Sequence, residues 1–473
     1  MAAGAPWTLD ATAMAAAFRR GDLDPVQVLE SCLARIDELN PTLNAFVSLR
    51  ADGARDDARA SAERHARGEP LSPLDGVPIA VKDNLPTADL PTTWGSVAGR
   101  THRPSRDELA VARARAAGLV VVGKTNVPEF TLEGYTHNAL FGTTRNPWDS
   151  RLTPGGSSGG SVAAVASGMV PLALGTDGGG STRRPAGYTG LYGLKPSIGR
   201  IARVDALPPL LLDFEVVGPI ARTVVDLRAL FDAIAGPDPR DRASWAAAGA
   251  AAAMSPPPAS LRVLHVPTFD GAPVDPGIAA ACEAGARRLA AAGHEVRVGP
   301  LPLDLADLNA NWPRIGQIGL AWLFGQHPQW ADGAGDTWRA MASEGAAQPA
   351  TLLWQLLESA SRLRRDAARL FDDVDLVTMP SSAAMPWPAD QAWPPAIDGR
   401  AVGPRGHAVF TGWVNAAGLP ALSVPVDCVA GLPVGLQVIG PYGGDDALFA
   451  AAEAIGTSSG ASWSWPASLA PVG

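Results

Sequence analysis

The chain of 473 residues is 47% hydrophobic and 18% charged, and its formal net charge is −9 at pH 7. This apolar content is ample for a large buried core and excludes a disordered protein. The negative charge argues against a nucleic-acid partner, because the field of the whole protein would repel a phosphate backbone.

Helices and strands alternate in the first half of the chain. Residues 24–39 are predicted as an amphipathic helix, because Pro25 stands just inside the start and apolar residues form one stripe. A short buried strand at 76–81 ends at Lys82, and a helix at 107–117 leads to a second strand at 119–122.

Two glycine clusters follow these elements. The first reads PGGSSGGS (154–161) and precedes a helix of small residues, SVAAVASGM. A strand, PLALGTD (171–177), then runs into the second cluster, GGGSTRRPAG (178–187).

The second half begins with a Pro- and Ala-rich segment, 236–260, which its composition predicts to be a linker-like excursion. A strand–helix–strand unit at 261–299 comes next, followed by a tryptophan-rich, helical and irregular segment at 312–413. Strands are predicted at 375–380, 421–426 and 435–440. The interleaving predicts an α/β fold whose large sheet is covered by helices on both faces.

The cysteines and the apolar segments indicate a cytoplasmic protein. Cys32, Cys282 and Cys428 are odd in number and far apart, which is typical of a reducing compartment and of neither a disulfide framework nor a zinc site. The N-terminal residues lack the pattern of a signal peptide. The longest uncharged run, 161–176, is too short to span a bilayer, so no membrane partner is expected.

A phosphate loop is one interpretation of the glycine-rich stretches. Residues 118–125, GLVVVGKT, match G-x-x-x-x-G-K-[ST] formally. The four variable residues are LVVV, which predicts a strand rather than a loop, and Pro128 follows where a helix should begin. The chemistry therefore argues against an ATP site.

A nucleophile elbow is a second interpretation, because residues 155–159 satisfy G-x-S-x-G around Ser157. The preceding RNPWDSRLTP does not predict the strand that such an elbow needs. The downstream histidines have no distinctive context; they are His265, His294, His327 and His407.

The second cluster favours a different serine. Three glycines before Ser181 free the backbone to turn N–H groups toward one point, as an oxyanion site requires. Lys82, at the end of an apolar strand, could take a proton if burial favours its neutral form. Taken singly, Ser157 could be only a helix N-cap and Lys82 a snorkelling surface lysine. Their occurrence together indicates catalysis.

The sequence resembles the amidase signature family over nearly its whole length. The matching stretches stand in the family's order: DGVPIAVKDN (75–84), GKTNVPEF (123–130), FGTTRNPWD (141–149), TPGGSSGGS (153–161), GTDGGGSTRRPAG (175–187), GLYGLKPSIGR (190–200), VGPIARTVVDL (217–227), GLPALSVP (418–425) and GLPVGLQVIG (431–440).

The resemblance implies a Ser–Ser–Lys triad. Ser181 would be the nucleophile that is acylated, Ser157 the bridging serine next to a cis peptide bond, and Lys82 the general base. The amides of Gly178, Gly179, Gly180 and Ser181 would form the oxyanion hole.

Further roles follow from the same resemblance. Asp177 and Arg183 would brace the loop by an ion pair, with Ser158 as a supporting residue. The backbone of Thr131 would lie near the bound substrate.

The resemblance also implies one domain over 1–473, with a core at about 8–460 and a mixed, twisted sheet of about a dozen strands between helical layers. Residues 300–415 would form the variable substrate-pocket region, and a homodimer is possible. No cofactor and no metal are expected.

Two stretches depart from the common family pattern. Gly178 is a third glycine where a bulkier residue is frequent, which would loosen or widen the site. LPPLLLDFEVV (207–217) replaces a more polar stretch, so one pocket wall is expected to be apolar.

The expected activity is hydrolysis of a small apolar or aryl amide through an acyl-enzyme. A carbamate (urethane) or ester would serve the same chemistry. The alternative is the glutamine-hydrolysing subunit of a tRNA-dependent amidotransferase, although EGYTH (133–137) differs from the serine-rich stretch expected there. Whether the tryptophans of 312–413 line the pocket or lie in the core stays open.

Overall fold

The computed structural model describes residues 5–256, 258–269, 271–457 and 464–470. Its strands are β1 (Phe46–Leu49), β2 (Pro78–Lys82), β3 (Val120–Thr125), β4 (His137–Asn138), β5 (Gly142–Thr143), β6 (Leu172–Asp177), β7 (Tyr192–Lys195), β8 (Val216–Ala221), β9 (Arg262–His265), β10 (Glu295–Val298), β11 (Leu376–Pro380), β12 (Ala396–Ile397), β13 (Arg400–Ala401), β14 (Ala421–Val429) and β15 (Leu432–Ile439).

The α-helices surround these strands. They are α1 (Ala11–Arg20), α2 (Pro25–Leu43), α3 (Ala51–Arg67), α4 (Leu109–Ala116), α5 (Gly159–Ala166), α6 (Arg183–Thr189), α7 (Val224–Ile234), α8 (Arg242–Ala253), α9 (Pro276–Ala291), α10 (Ala306–Gln326), α11 (Pro328–Asp332), α12 (Asp336–Ala346), α13 (Ala350–Asp373), α14 (Gly412–Ala417) and α15 (Asp445–Thr457).

Eleven of the described strands form one mixed sheet in the order β1-β3-β2-β6-β8-β7-β14-β15-β11-β9-β10. At one end β3, β2 and β6 are parallel, and at the other end β11, β9 and β10 are parallel. Antiparallel strands join the two parallel groups. This confirms the expected α/β fold and its sheet of about a dozen strands.

Helices cover both faces of the sheet because alternate residues of the strands point to opposite faces. On β2, Ile79 and Val81 belong to the core that includes α1, α4 and α7. Ala80, between them, belongs to the core beneath α2, α3 and α5. The uninterrupted apolar run of β2 is therefore explained by burial on both sides.

The segment 236–260 is not the linker-like excursion that its composition predicts, because it contains α8. Asp241 caps the helix by accepting a hydrogen bond from the N–H of Ala243, and the run of alanines favours helix. Ser244 and Ala247 are buried against the rest of the chain. The alanines reflect helix propensity here rather than low complexity.

Two further features bear on the expectations above. The three cysteines are free, with Cys32 and Cys282 buried and Cys428 exposed. Among the described residues, no helix combines the length and apolarity needed to cross a membrane.

Candidate active site

The site forms where neighbouring strands of the sheet end. Lys82 is the last residue of β2 and Asp177 the last of β6, and these two strands are parallel neighbours with Val81 opposite Leu174. Since parallel strands end at the same edge of a sheet, the second glycine cluster, which follows β6, begins beside the end of β2. The sheet register thus brings Lys82 to the second cluster.

Lys82 is fully buried and its ammonium nitrogen has three polar partners. Nζ lies 2.8 Å from Oγ of Ser157 and 2.8 Å from Oγ1 of Thr176, and it donates to the carbonyl of Thr176 at 3.2 Å. Of these contacts, the one to Ser157 joins Lys82 to the first glycine cluster. The snorkelling interpretation of Lys82 is wrong, because none of its side chain reaches solvent.

Burial lowers the pKa of Lys82 from its ordinary 10.5 to about 7. The nearby carboxylates of Glu215 and Asp177 partly offset this effect, and the guanidinium of Arg203 adds to it. The side chain is therefore close to half neutral at pH 7, as a general base must be.

A backbone hydrogen bond joins the segment of Ser157 to the segment of Ser181. The N–H of Ser158 donates to the carbonyl of Ser181 at 3.1 Å, and the hydroxyl of Ser158 donates to the carbonyl of Thr176 at 3.2 Å. The peptide bond between Gly156 and Ser157 is cis, as the resemblance implies. Among the described residues, no hydrogen bond joins the hydroxyls of Ser157 and Ser181.

Exposure separates the two serines. Ser181 is 8% exposed and lines a cavity, whereas Ser157 is 1% exposed and lies behind it beside Lys82. A molecule in the cavity would meet Ser181 first.

Some backbone groups of the second glycine cluster are hydrogen-bonded within the protein and others are not. The N–H of Gly180 donates to the carboxylate of Asp177 at 2.7 Å, and the carbonyl of Gly179 accepts from Oγ1 of Thr411 at 2.7 Å. In the part of the chain that the structure describes, the N–H groups of Gly178, Gly179 and Ser181 have no such partner. Of the four amides predicted to serve an oxyanion, three are therefore free in this structure, while the N–H of Gly180 is used by Asp177.

Asp177 and Arg183 form the expected ion pair, and both are fully buried. The guanidinium lies 2.8 Å from the carboxylate and also donates to Oδ1 of Asn415. Arg183 and the hydrogen bonds to the carboxylate hold the pKa of Asp177 far below its usual range, against the opposing effect of burial. A charge pair this well satisfied holds the loop in one conformation.

The cavity at Ser181 has a volume of about 340 Å³. Its apolar wall is formed by Leu211, Trp312, Trp338, Met341 and Trp393. The tryptophans of 312–413 therefore have both expected positions: some line the cavity, and others are buried in the core. The buried ones are Trp330, Trp387 and Trp413.

The two departures from the family pattern meet at this wall. A Cβ on Gly178 would touch the side chain of Leu211, so the third glycine lets the apolar segment approach the loop. Leu211 lies in the stretch 207–212, which lines a second cavity of about 350 Å³ beside the first. One wall of the site is apolar, as expected.

Thr131 lines both cavities. Its hydroxyl is turned inward, where it donates to the carbonyl of Phe130 at 2.6 Å and accepts from the indole N–H of Trp94. Its backbone has a φ of 59°, in the left-handed region. Its hydroxyl is therefore engaged within the protein.

Sequence reasoning missed several residues of the site. Thr176 contacts Lys82 directly, and Arg184 and Thr411 hold the carbonyl of Gly179. Glu215 lies close enough to Lys82 to influence its pKa. Thr176 carried a signal, since a polar residue one position before the end of a buried strand is unusual; Thr411 is too distant in sequence to carry one.

The phosphate-loop interpretation is excluded by Lys124. This lysine is fully buried on β3, where it donates to the carbonyl of Leu85 and to Oγ1 of Thr92. The elbow interpretation fails as well, because among the described residues no strand of the large sheet leads directly into residues 155–159.

Comparisons with known proteins agree with this geometry. The family model described as Amidase matches residues 27–449. The chain is 36% identical over 457 residues to the A subunit of the glutamyl-tRNA(Gln) amidotransferase of Chloroflexus aurantiacus (strain ATCC 29366 / DSM 635 / J-10-fl), covering 91% of this chain and 93% of that protein.

Two solved structures are similar over almost their full length. A bacterial aryl acylamidase of the amidase signature family superposes with a TM-score of 0.87 at 28% identity, covering 98% of this chain and 99% of that one. A 6-aminohexanoate cyclic dimer hydrolase, solved with its substrate, gives a TM-score of 0.86 at 29% identity, with coverages of 98% and 100%.

Proposed function

The chain belongs to the amidase signature family, and on that premise we propose that it hydrolyses a carboxylic amide C–N bond through an acyl-enzyme on Ser181. The observation that carries this proposal is the 2.8 Å contact between the buried Nζ of Lys82 and Oγ of Ser157. An amine with a pKa of about 7 can take a proton from a serine hydroxyl at neutral pH, which an ordinary lysine does poorly.

In the acylation step, Oγ of Ser181 attacks the carbonyl carbon of the amide and loses its proton to Oγ of Ser157. The proton that Ser157 carried passes to the neutral Nζ of Lys82, along the contact described above. Rotation of the Ser181 hydroxyl toward Ser157 completes the relay. The charge that develops on the carbonyl oxygen is stabilised by the free amides of Gly178, Gly179 and Ser181.

The collapse of the tetrahedral intermediate needs the reverse transfer. The Lys82 ammonium returns a proton through Ser157 to the departing amine nitrogen, and the C–N bond breaks. Water then attacks the acyl carbon and gives a proton through Ser157 to Lys82. The bond between the acyl carbon and Oγ of Ser181 breaks, the Lys82 ammonium returns the proton through Ser157 to Oγ of Ser181, and the carboxylic acid leaves.

The cavity supports a small substrate with an apolar or aromatic part. Trp312 and Trp338 line the cavity and give it aromatic surface, and Leu211 lines it beside the glycine loop. The similarity to an aryl acylamidase points in the same direction. A carbamate or ester would fit the same site and react through the same steps.

The second candidate function is that of the A subunit of an amidotransferase, because relatives with that name are 36% identical to this chain. Such a protein would release ammonia from glutamine inside a larger complex. Against it, Glu133 and Gly134 belong to the stretch that departs from the serine-rich pattern, and both line the cavity. We therefore propose that the chain acts as an amidase without partner subunits. The proposed homodimer of this chain is tested by measuring its molar mass in solution by light scattering.

A hydrolysis panel tests the proposed function. The purified chain is incubated with aliphatic amides, aryl amides, anilides, carbamates and glutamine, and the acyl-enzyme is trapped by acid and mapped by mass spectrometry. We expect an acyl group on the peptide that contains Ser181, from an aryl or apolar amide. Turnover of glutamine alone, or activity only with co-purified subunits, would favour the amidotransferase.

Three variants test the roles of the side chains. Ser181→Ala should abolish the acyl adduct and labelling by a fluorophosphonate, and Lys82→Ala should lower kcat/KM by about 10²–10⁴-fold. The control is Ser161→Ala, because Ser161 is a fully buried serine of the first glycine cluster whose hydroxyl bonds to Thr125 and not to Lys82. Labelling of Ser157 in the Ser181→Ala protein would revive the nucleophile elbow.

A further inference from the structure

The Ser181 cavity is also lined by a buried histidine whose ring has no hydrogen-bond partner. His407 is 2% exposed and lines the cavity, and in the described part of the chain neither of its ring nitrogens has a hydrogen-bond partner. Its ring packs on Trp387 with the centroids 4.8 Å apart. Buried polar groups are normally paired, so an unpaired imidazole at a cavity indicates a group that is supplied by the ligand.

The same turn carries a guanidinium without a carboxylate. Arg405 lines the cavity, is exposed to solvent and takes part in no ion pair among the described residues. Its Nη2 would lie 3.8 Å from a Cβ built on Gly179, so it is close to the glycine loop. A second guanidinium of the cavity, Arg184, also lacks a carboxylate partner among the described residues, but its Nη1 is held by Thr411 and by the carbonyl of Gly179.

Burial and the two guanidinium groups hold the pKa of His407 well below 6.5. The imidazole is therefore neutral at physiological pH and has one N–H to donate. Together with Arg405 and Arg184 it gives the cavity N–H donors and positive charge, beside the aromatic and aliphatic side chains that also line it.

Resting on the proposed amide hydrolysis, we propose that Arg405 and His407 form a subsite for a carboxylate carried by the substrate. A guanidinium fork matches the two oxygens of a carboxylate, and the imidazole N–H supplies one more donor. The substrate class is then an amide that has an apolar or aryl part and a free carboxylate a few atoms from the C–N bond. The reaction steps at Ser181 are unchanged.

Two acidic residues line the same cavity, and one of them, Glu215, is paired with Arg203. Glu133 lines the cavity and makes no ion pair among the described residues. Burial and the neighbouring Glu129 raise the pKa of Glu133 to about 7, so it is partly protonated near neutral pH. When ionised it opposes an anionic ligand, so Glu133→Gln should keep or increase any preference for a carboxylate.

Matched substrates test the subsite. The values of kcat/KM are measured at pH 7.5 for glutaric acid monoanilide, its methyl ester and hexananilide, and for 4-(butyrylamino)benzoate and its methyl ester. In at least one series the carboxylate should be preferred by about 10- to 100-fold, which is the usual value of a charge-assisted hydrogen bond. The first series tests a carboxylate on the acyl side and the second one on the amine side.

The variant Arg405→Met should remove this preference while it changes kcat/KM for the neutral substrates less than about threefold. Added salt at about 0.5 M should reduce the preference in the unmodified protein, since the guanidinium is exposed to solvent. The control is Arg400→Met, because Arg400 is an exposed arginine that binds the carbonyl of Gly271 and does not line the cavity.

The outcomes separate this proposal from the proposed function. Equal turnover of neutral and carboxylate substrates, or an equal loss with all substrates in Arg405→Met, overturns the subsite and leaves amide hydrolysis intact. If no substrate acylates Ser181 and no variant changes fluorophosphonate labelling, amide hydrolysis fails and the subsite fails with it. His407→Phe is a second variant, expected to weaken the preference with an unchanged thermal midpoint.

Discussion

The pH dependence of the reaction is governed by Lys82, and its magnitude follows from the structure. Burial lowers the pKa of this amine from 10.5 to about 7, while Glu215 and Asp177 partly restore it. A change of this size means that the buried site disfavours the ammonium by about 5 kcal/mol relative to water. The lysine is therefore poised where a small change of pH switches the general base.

Only the neutral amine can accept the proton of Ser157, so kcat/KM should follow its fraction. About 10% of a group with a pKa of 7 is neutral at pH 6, about half at pH 7 and about 90% at pH 8. We expect kcat/KM for an uncharged anilide to rise about tenfold between pH 6 and pH 8 and then to level off. The assay is a series of buffers from pH 5.5 to 9.5 at constant ionic strength.

Two other groups have a pKa in the same range as Lys82, and variants distinguish their effects on the pH profile from that of Lys82. Glu133 lines the cavity with a pKa of about 7, and Lys195 is a fully buried lysine whose pKa burial also lowers to about 7. Lys195 donates to the carbonyl of Pro196 and not to Ser157. The acidic limb of the profile should be unchanged in Glu133→Gln and in Lys195→Met.

A profile that is flat between pH 6 and pH 8 would refute this reasoning, and so would a limb that moves with Glu133→Gln or Lys195→Met. In either case Lys82 would not be the group that limits the rate.

Three more variants test the surroundings of the site. Glu215→Gln removes a charge that raises the pKa of Lys82, so the acidic limb of kcat/KM should move to lower pH by up to about one unit. Gly180→Ala forces a side chain onto a residue whose φ is 110°; because the free amides beside it would be displaced, kcat should fall by about 10²–10³-fold in steady-state assays. Asp177→Asn leaves the buried Arg183 without its carboxylate, so the free energy of unfolding should fall by about 3–5 kcal/mol in urea denaturation.

For each of these variants, one outcome would contradict the prediction. A limb that moves to higher pH in Glu215→Gln would reverse the assigned sign of its effect. For the glycine, the control is Gly325→Ala, where an added Cβ meets nothing within 4 Å, and equal activity of the two variants would remove the role of the loop. An Asp177→Asn protein as stable as the unmodified one would show that Arg183 finds other acceptors.

The order of elements could be predicted from sequence because it depends on local pattern. The run GVPIAV predicted a strand, and β2 has this position because its residues pack against helices on both faces. The alanines of 242–253 were misread, because composition alone does not distinguish a linker from a capped helix. The family followed from motifs that stand in a fixed order, and the matching family model confirms it.

Only the tertiary structure decided which atoms of the site meet. Sequence brought Lys82, Ser157 and Ser181 together as candidates through the resemblance, and their catalytic roles stay predictions. It did not identify Thr176 as the second partner of Lys82, nor the use of the Gly180 amide by Asp177. Those contacts depend on the register of two strands and on the turn of one loop.

The cavity is the part of the protein that sequence determined least. Its walls are formed by the glycine loop, the apolar residues near 211, the helices after 306 and the turn at 404–408. Some of these segments are more than 200 residues apart in the sequence. The sequence by itself determined the fold class and the candidate chemistry, because hydrophobic periodicity and short motifs depend only on residues that are close together in the chain. The ionisation of Lys82 and the pairing of charges were decided only by folding, because burial and distance depend on which segments pack around each group.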